Sequence, residues 1–289
     1  MRVRKMLGMA VAATLLLGTV ACGDDDKGGT VTPGASKTFA AGSTMEKLQK
    51  QGTVKVGTKF DQPLFGLKGV SGKVEGFDVE IAKIIAAELG IAEDKIQFVE
   101  SVSKNREDFI INGTVDFIVA TYTINDTRKE KVGFAGPYYT AGQDIMVKKG
   151  DTSITGKDSL KGKRVCSATG STPAKRIQEE IPEAKLTLFA TYTECAEALR
   201  NGQTDAVSTD NVILLGLIEK APDDFQLVNA PFSTEPYGIG VKKDDTDFRN
   251  FINDVLEAAY KDGRYKAAYD KTLGKVQETM PAPPAVNRY

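Results

Sequence analysis

The chain has 289 residues, with 38 Lys+Arg against 39 Asp+Glu and neither His nor Trp. Without His there is no Ser-His or Cys-His nucleophile pair and no His-containing zinc site, which removes most enzyme classes. A formal net charge of −1, with no clustered basic surface, speaks against nucleic acid as a partner.

Arg2, Arg4 and Lys5 precede an apolar stretch from Met6 to Ala21. Its 16 residues fall short of the roughly 20 that a spanning helix needs, so residues 1–21 read as a targeting segment. Thr19-Val20-Ala21-Cys22 puts a small residue before a cysteine, and Gly23-Asp24-Asp25-Asp26 turns abruptly polar. This resembles a bacterial lipoprotein signal, although the pattern favours Leu where Thr19 stands. The resemblance implies cleavage before Cys22, lipidation of that cysteine, and export to the outer face of the cytoplasmic membrane of a Gram-positive-type cell. The alternative is a plain secretory signal with Cys22 incidental. Removing Arg2, Arg4 and Lys5 leaves 35 Lys+Arg against 39 Asp+Glu, a net charge near −4. Residues 22–44, rich in Gly, Asp, Thr, Ser and Pro, read as a flexible tether.

From Thr53 strands and helices alternate, which argues for an α/β fold. "TVKVGT" (53–58) is a β-branched strand. "GFDVEIAKIIAAELG" (76–90) puts Phe77, Ile81, Ile84, Ile85 and Leu89 on one helical face and stops at a glycine. "KIQFVE" is a strand, "SKNREDFIING" a helix, and Asp116 to Ala120 a buried strand. After "DIMVKKGD" a second block follows: strand "LKGKRVCSATGST", helix "PAKRIQEE", strand "AKLTLFA", helix "YTECAEALRNG" and strand "DAVSTD". The segment 247–274 is helical, with Phe248, Phe251, Ile252, Val255, Leu256 and Ala259 on its apolar stripe, and "PAPPAVNRY" reads as disordered. Beyond Cys22 the cysteines are Cys166 and Cys195. In an exported chain a disulfide between them is the default, stabilising by roughly 3 kcal/mol, with two buried thiols as the alternative.

One unit occurs twice: helix, Asn-Gly, and three residues later an Asp opening a strand, at Asn112-Gly113…Asp116 and Asn201-Gly202…Asp205. The Asn-Gly supplies a helix end where positive φ is needed. Ligands of parallel α/β sheets bind beyond the carboxyl ends of the strands. Thr121-Tyr122-Thr123 and then Arg128 stand there in the first half, and Gly170-Ser171-Thr172 and Ser208-Thr209-Asp210 in the second. A guanidinium, hydroxyls and free N–H groups suit a carboxylate, and Asp210 suits an ammonium. A free amino acid carries both groups on one carbon.

The ordered set "GFDVEIAKII", "ATYTINDTRKEKVGFAGPYY", "LKGKRVCSATGST", "DAVSTD" and "YGIGVKKDD" resembles the extracellular solute-binding proteins of ABC amino-acid importers (family 3). The likeness runs from about Met45 to Gly274. Within that family "KFDQP", "ATYTIN" and "CSATGSTPAKR" are most similar to actinobacterial glutamate-binding lipoproteins. The resemblance implies a type II clamshell of two lobes, each a central sheet flanked by helices. Residues 45–143 and 237–276 would form lobe 1 and residues 144–236 lobe 2, with crossings near 140–148 and 232–241 and a Pro-rich tail at 277–289. It implies that Arg128 grips the ligand α-carboxylate with help from Thr123, Gly170, Ser171 and Thr172. The carbonyl of Thr121 and the carboxylate of Asp210 would take the α-ammonium. Lys59, where binders of basic amino acids commonly carry an acid, and Arg106 would receive a side-chain carboxylate, which points to glutamate or aspartate. Alternatives stay open: a solvated Lys59, Arg106 paired with Glu107 or Asp108, and Arg128 paired with Asp126 or Glu130. Tyr138, Tyr139 and Tyr237 read as packing or hinge residues. The implied partners are a membrane ABC permease and the membrane itself through the lipid anchor, for a monomer that needs no cofactor or metal. Competing functions are capture of glutamine or asparagine, ligand sensing, and catalysis on the same scaffold. Asp210 is the acid–base candidate for catalysis, expected to be held ionised by the neighbouring cations.

Overall fold

The structure is a computed structural model that describes residues 37–289; residues 1–36, with Cys22 and most of the tether, lie outside the described residues. Ser43 accepts a hydrogen bond from Glu46 N and so starts α1 (Thr44–Gln51). Then come β1 (Val54–Thr58), a small three-stranded sheet of β2 (Asp61–Gln62), β3 (Gly66–Lys68) and β4 (Val74–Glu75), and α2 (Phe77–Glu88). β5 (Ile96–Glu100), α3 (Arg106–Ile111), β6 (Phe117–Ile118), α4 (Asp126–Lys129) and β7 (Val132–Ala141) complete the first run. The chain leaves for the second sheet at Gly142. There follow β8 (Gln143–Lys148), β9 (Arg164–Ala168), α5 (Thr172–Glu180), β10 (Lys185–Phe189), α6 (Tyr192–Arg200), β11 (Ala206–Asp210), α7 (Asn211–Lys220) and β12 (Phe225–Leu227). It returns as β13 (Glu235–Lys242), α8 (Thr246–Asp262) and α9 (Arg264–Lys271).

The two large sheets share one plan. The first runs β5-β1-β6-β13-β7 and the second β10-β9-β11-β8-β12. In each, three parallel strands are followed by an antiparallel strand placed next to a crossing, then by an antiparallel edge. The repeated Asp fixes this register in both. Asp116 N donates to Lys55 O, and its carboxylate accepts from Lys55 N at 2.7 Å. Asp205 does the same with Arg164, whose N–H lies 2.8 Å from the carboxylate. The glycines before them, Gly113 and Gly202, take φ of 69° and 72°, and each turns its helix back toward the sheet.

The predicted face of α2 is buried throughout, and Phe77 meets Tyr265 edge-on at 5.4 Å between ring centroids. The apolar stripe of α8 closes the same core, with Phe251 only partly covered. Each fully buried Ile, Leu or Phe contributes about 1.5–3 kcal/mol, and a second cluster around Ile110, Ile118, Tyr122 and Phe134 adds to this layer. The second lobe has a core on each face of its sheet. A disulfide joins Cys166 on β9 to Cys195 on α6 within one of them.

Three expectations change. The strand read at 116–120 is ladder-paired only over Phe117–Ile118, because Thr121 turns to φ 44° and ends the extended run. Residues 37–43, read as the end of a tether, pack on lobe 1: Lys37 pairs with Glu88, and Phe39 meets Phe251 edge-on. The Pro-rich end is ordered against the same lobe. Asn287 N donates to Gly136 O, Phe134 N to the Tyr289 hydroxyl, and Arg288 pairs with Asp254 and Glu257. A Pro-rich composition suggested no packing, yet Asn287 and Tyr289 cover the free edge of β7, which an exposed sheet edge favours.

Candidate ligand-binding site

Strand ends place the polar groups. Lys59 follows β1, Thr121 and Thr123 follow β6, and Arg128 sits on α4, whose start is capped by Asn125 accepting from Arg128 N. From the second sheet, Gly170 and Ser171 link β9 to α5, Thr172 opens that helix, and Asp210 ends β11. Ser171 is the α5 N-cap, accepting from Ala174 N at 3.1 Å. Lys59, Arg106, Thr121, Thr123, Arg128, Ser171 and Asp210 are all buried, Thr172 is partly so, and Gly170 is exposed.

Arg128 is the group that joins the lobes. One guanidinium nitrogen donates to Thr123 O (2.7 Å) and to the Thr172 hydroxyl (3.0 Å), and the other to Gly170 O (3.2 Å). Its Nε pairs with Glu107 at 3.2 Å, whereas Asp126 and Glu130 are not its partners. The lobes press together around it. A Cβ on Gly170 would lie 2.6 Å from Lys104 Cα, and one on Gly216 would lie 2.4 Å from Pro63 O. Asp61 completes the seam, its carboxylate accepting from Tyr192 N (3.1 Å) and its carbonyl from the Thr193 hydroxyl (2.8 Å). The conformation is therefore closed.

Lys59 and Arg106 are core residues. Lys59 Nζ donates to the Ser103 hydroxyl at 2.8 Å. Burial, and then the Arg106 charge, pull its ammonium down to about 7. Arg106 donates to the carbonyls of Ser103, Ala120 and Thr121 and stacks on Tyr122, 4.2 Å from the ring centroid. Neither Glu107 nor Asp108 holds it. Arg128 lies over the same ring at 4.9 Å, so one aromatic ring serves two guanidiniums.

Asp210 differs from expectation. Burial, followed by the nearby Glu235 carboxylate, pushes it up to about 7, although the Tyr237 hydroxyl, Arg106 and Arg128 pull it back. Desolvation outweighs the cations that were expected to hold it ionised. Tyr237 donates to its Oδ2 at 2.6 Å, while Oδ1 has no partner among the described residues. Tyr237 is thus a polar contact as well as a packing residue. Gln62 Nε2 and Thr209 Oγ1 are likewise buried without partners among the described residues. Unpaired buried polar atoms are costly, and these three call for a polar ligand.

The sequence reading gave no role to Gln62, Asp78 or Tyr192, and it offered Glu107 as a partner of Arg106, whereas Glu107 pairs with Arg128. Gln62 was findable, since it stands in "KFDQP" beyond a strand end. So was Asp78, which falls on the predicted apolar face of α2, three and seven residues before Ile81 and Ile85. It is fully buried, accepting from Thr121 N (2.8 Å) and the Tyr138 hydroxyl (2.6 Å). Thr121 is meanwhile held in a left-handed conformation that costs a β-branched residue roughly 1–3 kcal/mol, its hydroxyl donating to Gln62 Oε1.

A closed two-lobe body that buries cations, an unpaired carboxylate oxygen and an amide donor between its sheets is laid out to hold a small polar solute. Residues 54–275 match the family of bacterial extracellular solute-binding proteins, family 3, and the chain belongs to that family. The chain is 39% identical over 266 residues to the ABC transporter glutamine-binding protein of Bacillus subtilis, covering 92% of this chain and 94% of that one. It is 38% identical over 283 residues to the glutamate-binding protein of Corynebacterium glutamicum, covering 93% and 90%. Among solved structures, the solute receptor for L-cysteine of Neisseria gonorrhoeae is similar at 33% identity and a TM-score of 0.78, over 84% of this chain and 99% of that one.

Proposed function

We propose that the protein captures an amino acid, glutamate first, and delivers it to a membrane ABC permease without making or breaking a bond. The observation that carries this is the charge arrangement across the seam. Arg128 reaches from lobe 1 to Thr172 and Gly170, while Asp210 of lobe 2 keeps one buried oxygen unpaired. In this reading Arg128, Thr123 and the α5 N-terminus hold the α-carboxylate by charge-assisted bonds. Asp210 and the Thr121 carbonyl hold the α-ammonium. Both lobes then contribute to each end of the zwitterion, so ligand favours the closed state.

Lys59 and the Arg106 guanidinium support a second carboxylate, as does similarity to a glutamate-binding protein. One observation favours glutamine instead: an amine whose pKa has fallen to about 7 is partly neutral at physiological pH and accepts from a carboxamide. Calorimetric titration against glutamate, aspartate, glutamine, asparagine and arginine decides between them. Tight arginine binding without glutamate or glutamine heat would remove the Lys59 argument, and no heat with any amino acid would remove the function. Anchoring through Cys22 is supported by the sequence from Thr19 to Asp26 and is tested by metabolic labelling with a fatty acid. Import rather than sensing predicts loss of radiolabelled uptake in a deletion strain.

A further inference from the structure

Asp78 lies in no part of the site as drawn from the sequence, yet three features of the site depend on one backbone turn that it touches. Thr121 sits at φ 44°, a conformation that a β-branched residue keeps only when its surroundings impose it. Its N–H is taken by Asp78 Oδ2, its hydroxyl by Gln62 and its carbonyl by Arg106. The turn aims two consecutive carbonyls, Ala120 O and Thr121 O, at the same Arg106 nitrogen, 3.0 and 3.3 Å away. It also sets the Tyr122 ring against both the Arg106 and the Arg128 guanidiniums. Asp78 is itself fixed by Tyr138, whose hydroxyl takes the other carboxylate oxygen, and by its place in the first turn of α2.

We propose that Asp78 is a positioning residue of the binding site: by pinning the Thr121 amide it holds the left-handed turn that aims Arg106 and presents the Thr121 carbonyl to the ligand. Thr121 without Asp78 relaxes toward ordinary backbone, and both Arg106 carbonyl acceptors swing away. Asp78 acts through geometry in this account, not as a countercharge to Lys59 and Arg106, whose charges favour its ionised form. The part concerning ligand rests on the amino-acid reading above; the pinning itself does not.

Two conservative variants separate geometry from charge. Asp78→Asn keeps an oxygen for Thr121 N–H, and the Tyr138 hydroxyl turns to accept from the new amide. Asp78→Glu keeps the charge but moves the carboxylate one methylene further out. In ligand-free protein, amide exchange over residues 117–125 should stay near wild type in Asp78→Asn and quicken at least tenfold in Asp78→Glu. Affinity for the amino acid bound by the wild type should follow: within about threefold for Asn, at least tenfold weaker for Glu. Gly accepts positive φ without cost, so Thr121→Gly should shrink the Asp78→Glu penalty at least threefold. The reverse order, with Asn worse than Glu, would make Asp78 a countercharge and overturn the proposal. Unchanged exchange in Asp78→Glu would overturn it as well. Exchange that behaves as expected in a protein that binds no amino acid would leave the pinning standing and remove only the functional reading.

Discussion

Lys59 makes the choice between glutamate and glutamine a function of pH. Its ammonium is pulled to about 7 by burial and by Arg106, with Arg128 adding to the effect and Asp61 and Asp78 opposing it. At pH 8 the free protein then carries roughly a tenth of its Lys59 as ammonium, and at pH 6 roughly nine-tenths. A ligand carboxylate seated on Lys59 requires the charged form, so glutamate takes up about 0.9 proton at pH 8. Above pH 7 the glutamate-to-glutamine affinity ratio should therefore fall about tenfold per pH unit, equivalent to about 1.4 kcal/mol. Asp210, pushed up to about 7, titrates in the same range, but both ligands present the same α-ammonium to it and its effect cancels in the ratio. Calorimetry at pH 6, 7, 8 and 9, in buffers of differing ionisation enthalpy, gives both the ratio and the proton count. Lys59→Met should make the ratio independent of pH. A flat ratio in the wild type, or equal proton uptake with both ligands, would refute the placement of Lys59 beside the ligand side chain.

Arg128→Ala removes two bonds across the seam and the proposed grip on the α-carboxylate. At about 1.5–3 kcal/mol for each of two charge-assisted bonds, titration should show every amino acid weakened by about 10²–10⁴-fold. Asp61→Ala opens the bond to Tyr192 N without touching a proposed ligand contact. It should weaken every ligand roughly three- to tenfold, glutamate more than glutamine because Asp61 also favours the Lys59 ammonium, with a larger radius of gyration by small-angle scattering. Cys166→Ser with Cys195→Ser opens a loop of sequence separation 29 and should cost about 3–4 kcal/mol in urea unfolding. Thermal melts of ligand-free protein should pass through a minimum near pH 7. Asp78 and Asp210, raised to about 7, add stability that is lost as pH climbs from 4 to 7. Above 7 the unfolded chain holds the Lys59 proton that the folded one sheds, so stability recovers toward pH 10.

What could be read in the sequence was what depends on local pattern. The α2 face, the Asn-Gly turns with their following aspartates, and the cysteine pair in an exported chain all follow from period, backbone preference and compartment. Arg128 and Asp210 followed from the position of polar residues beyond buried strands. What escaped depends on contacts far apart in the chain. Asp78 received no role because the groups that meet its carboxylate, Thr121 and Tyr138, lie 43 and 60 residues on. Ionisation was misjudged for Asp210 because neighbouring charges can be counted in a sequence, whereas desolvation cannot. The ordered tail was missed because Tyr289 packs on Phe134, Lys129 and Arg249, a partnership no local window contains.

Both ends of the described chain lie on lobe 1, and α8 receives both: Phe39 packs on Phe251, and Arg249, Asp254 and Glu257 hold the last two residues. A protein tied to a surface through its N-terminus, as proposed here, is thus held by lobe 1. That lobe becomes the stator, and lobe 2, reached only through the crossings at Gly142 and residues 228–234, is the part that swings. A fluorophore carried at the C-terminus would ride with the stator, and one placed at the Gly202 turn would ride with the moving lobe, so that the pair would report opening directly.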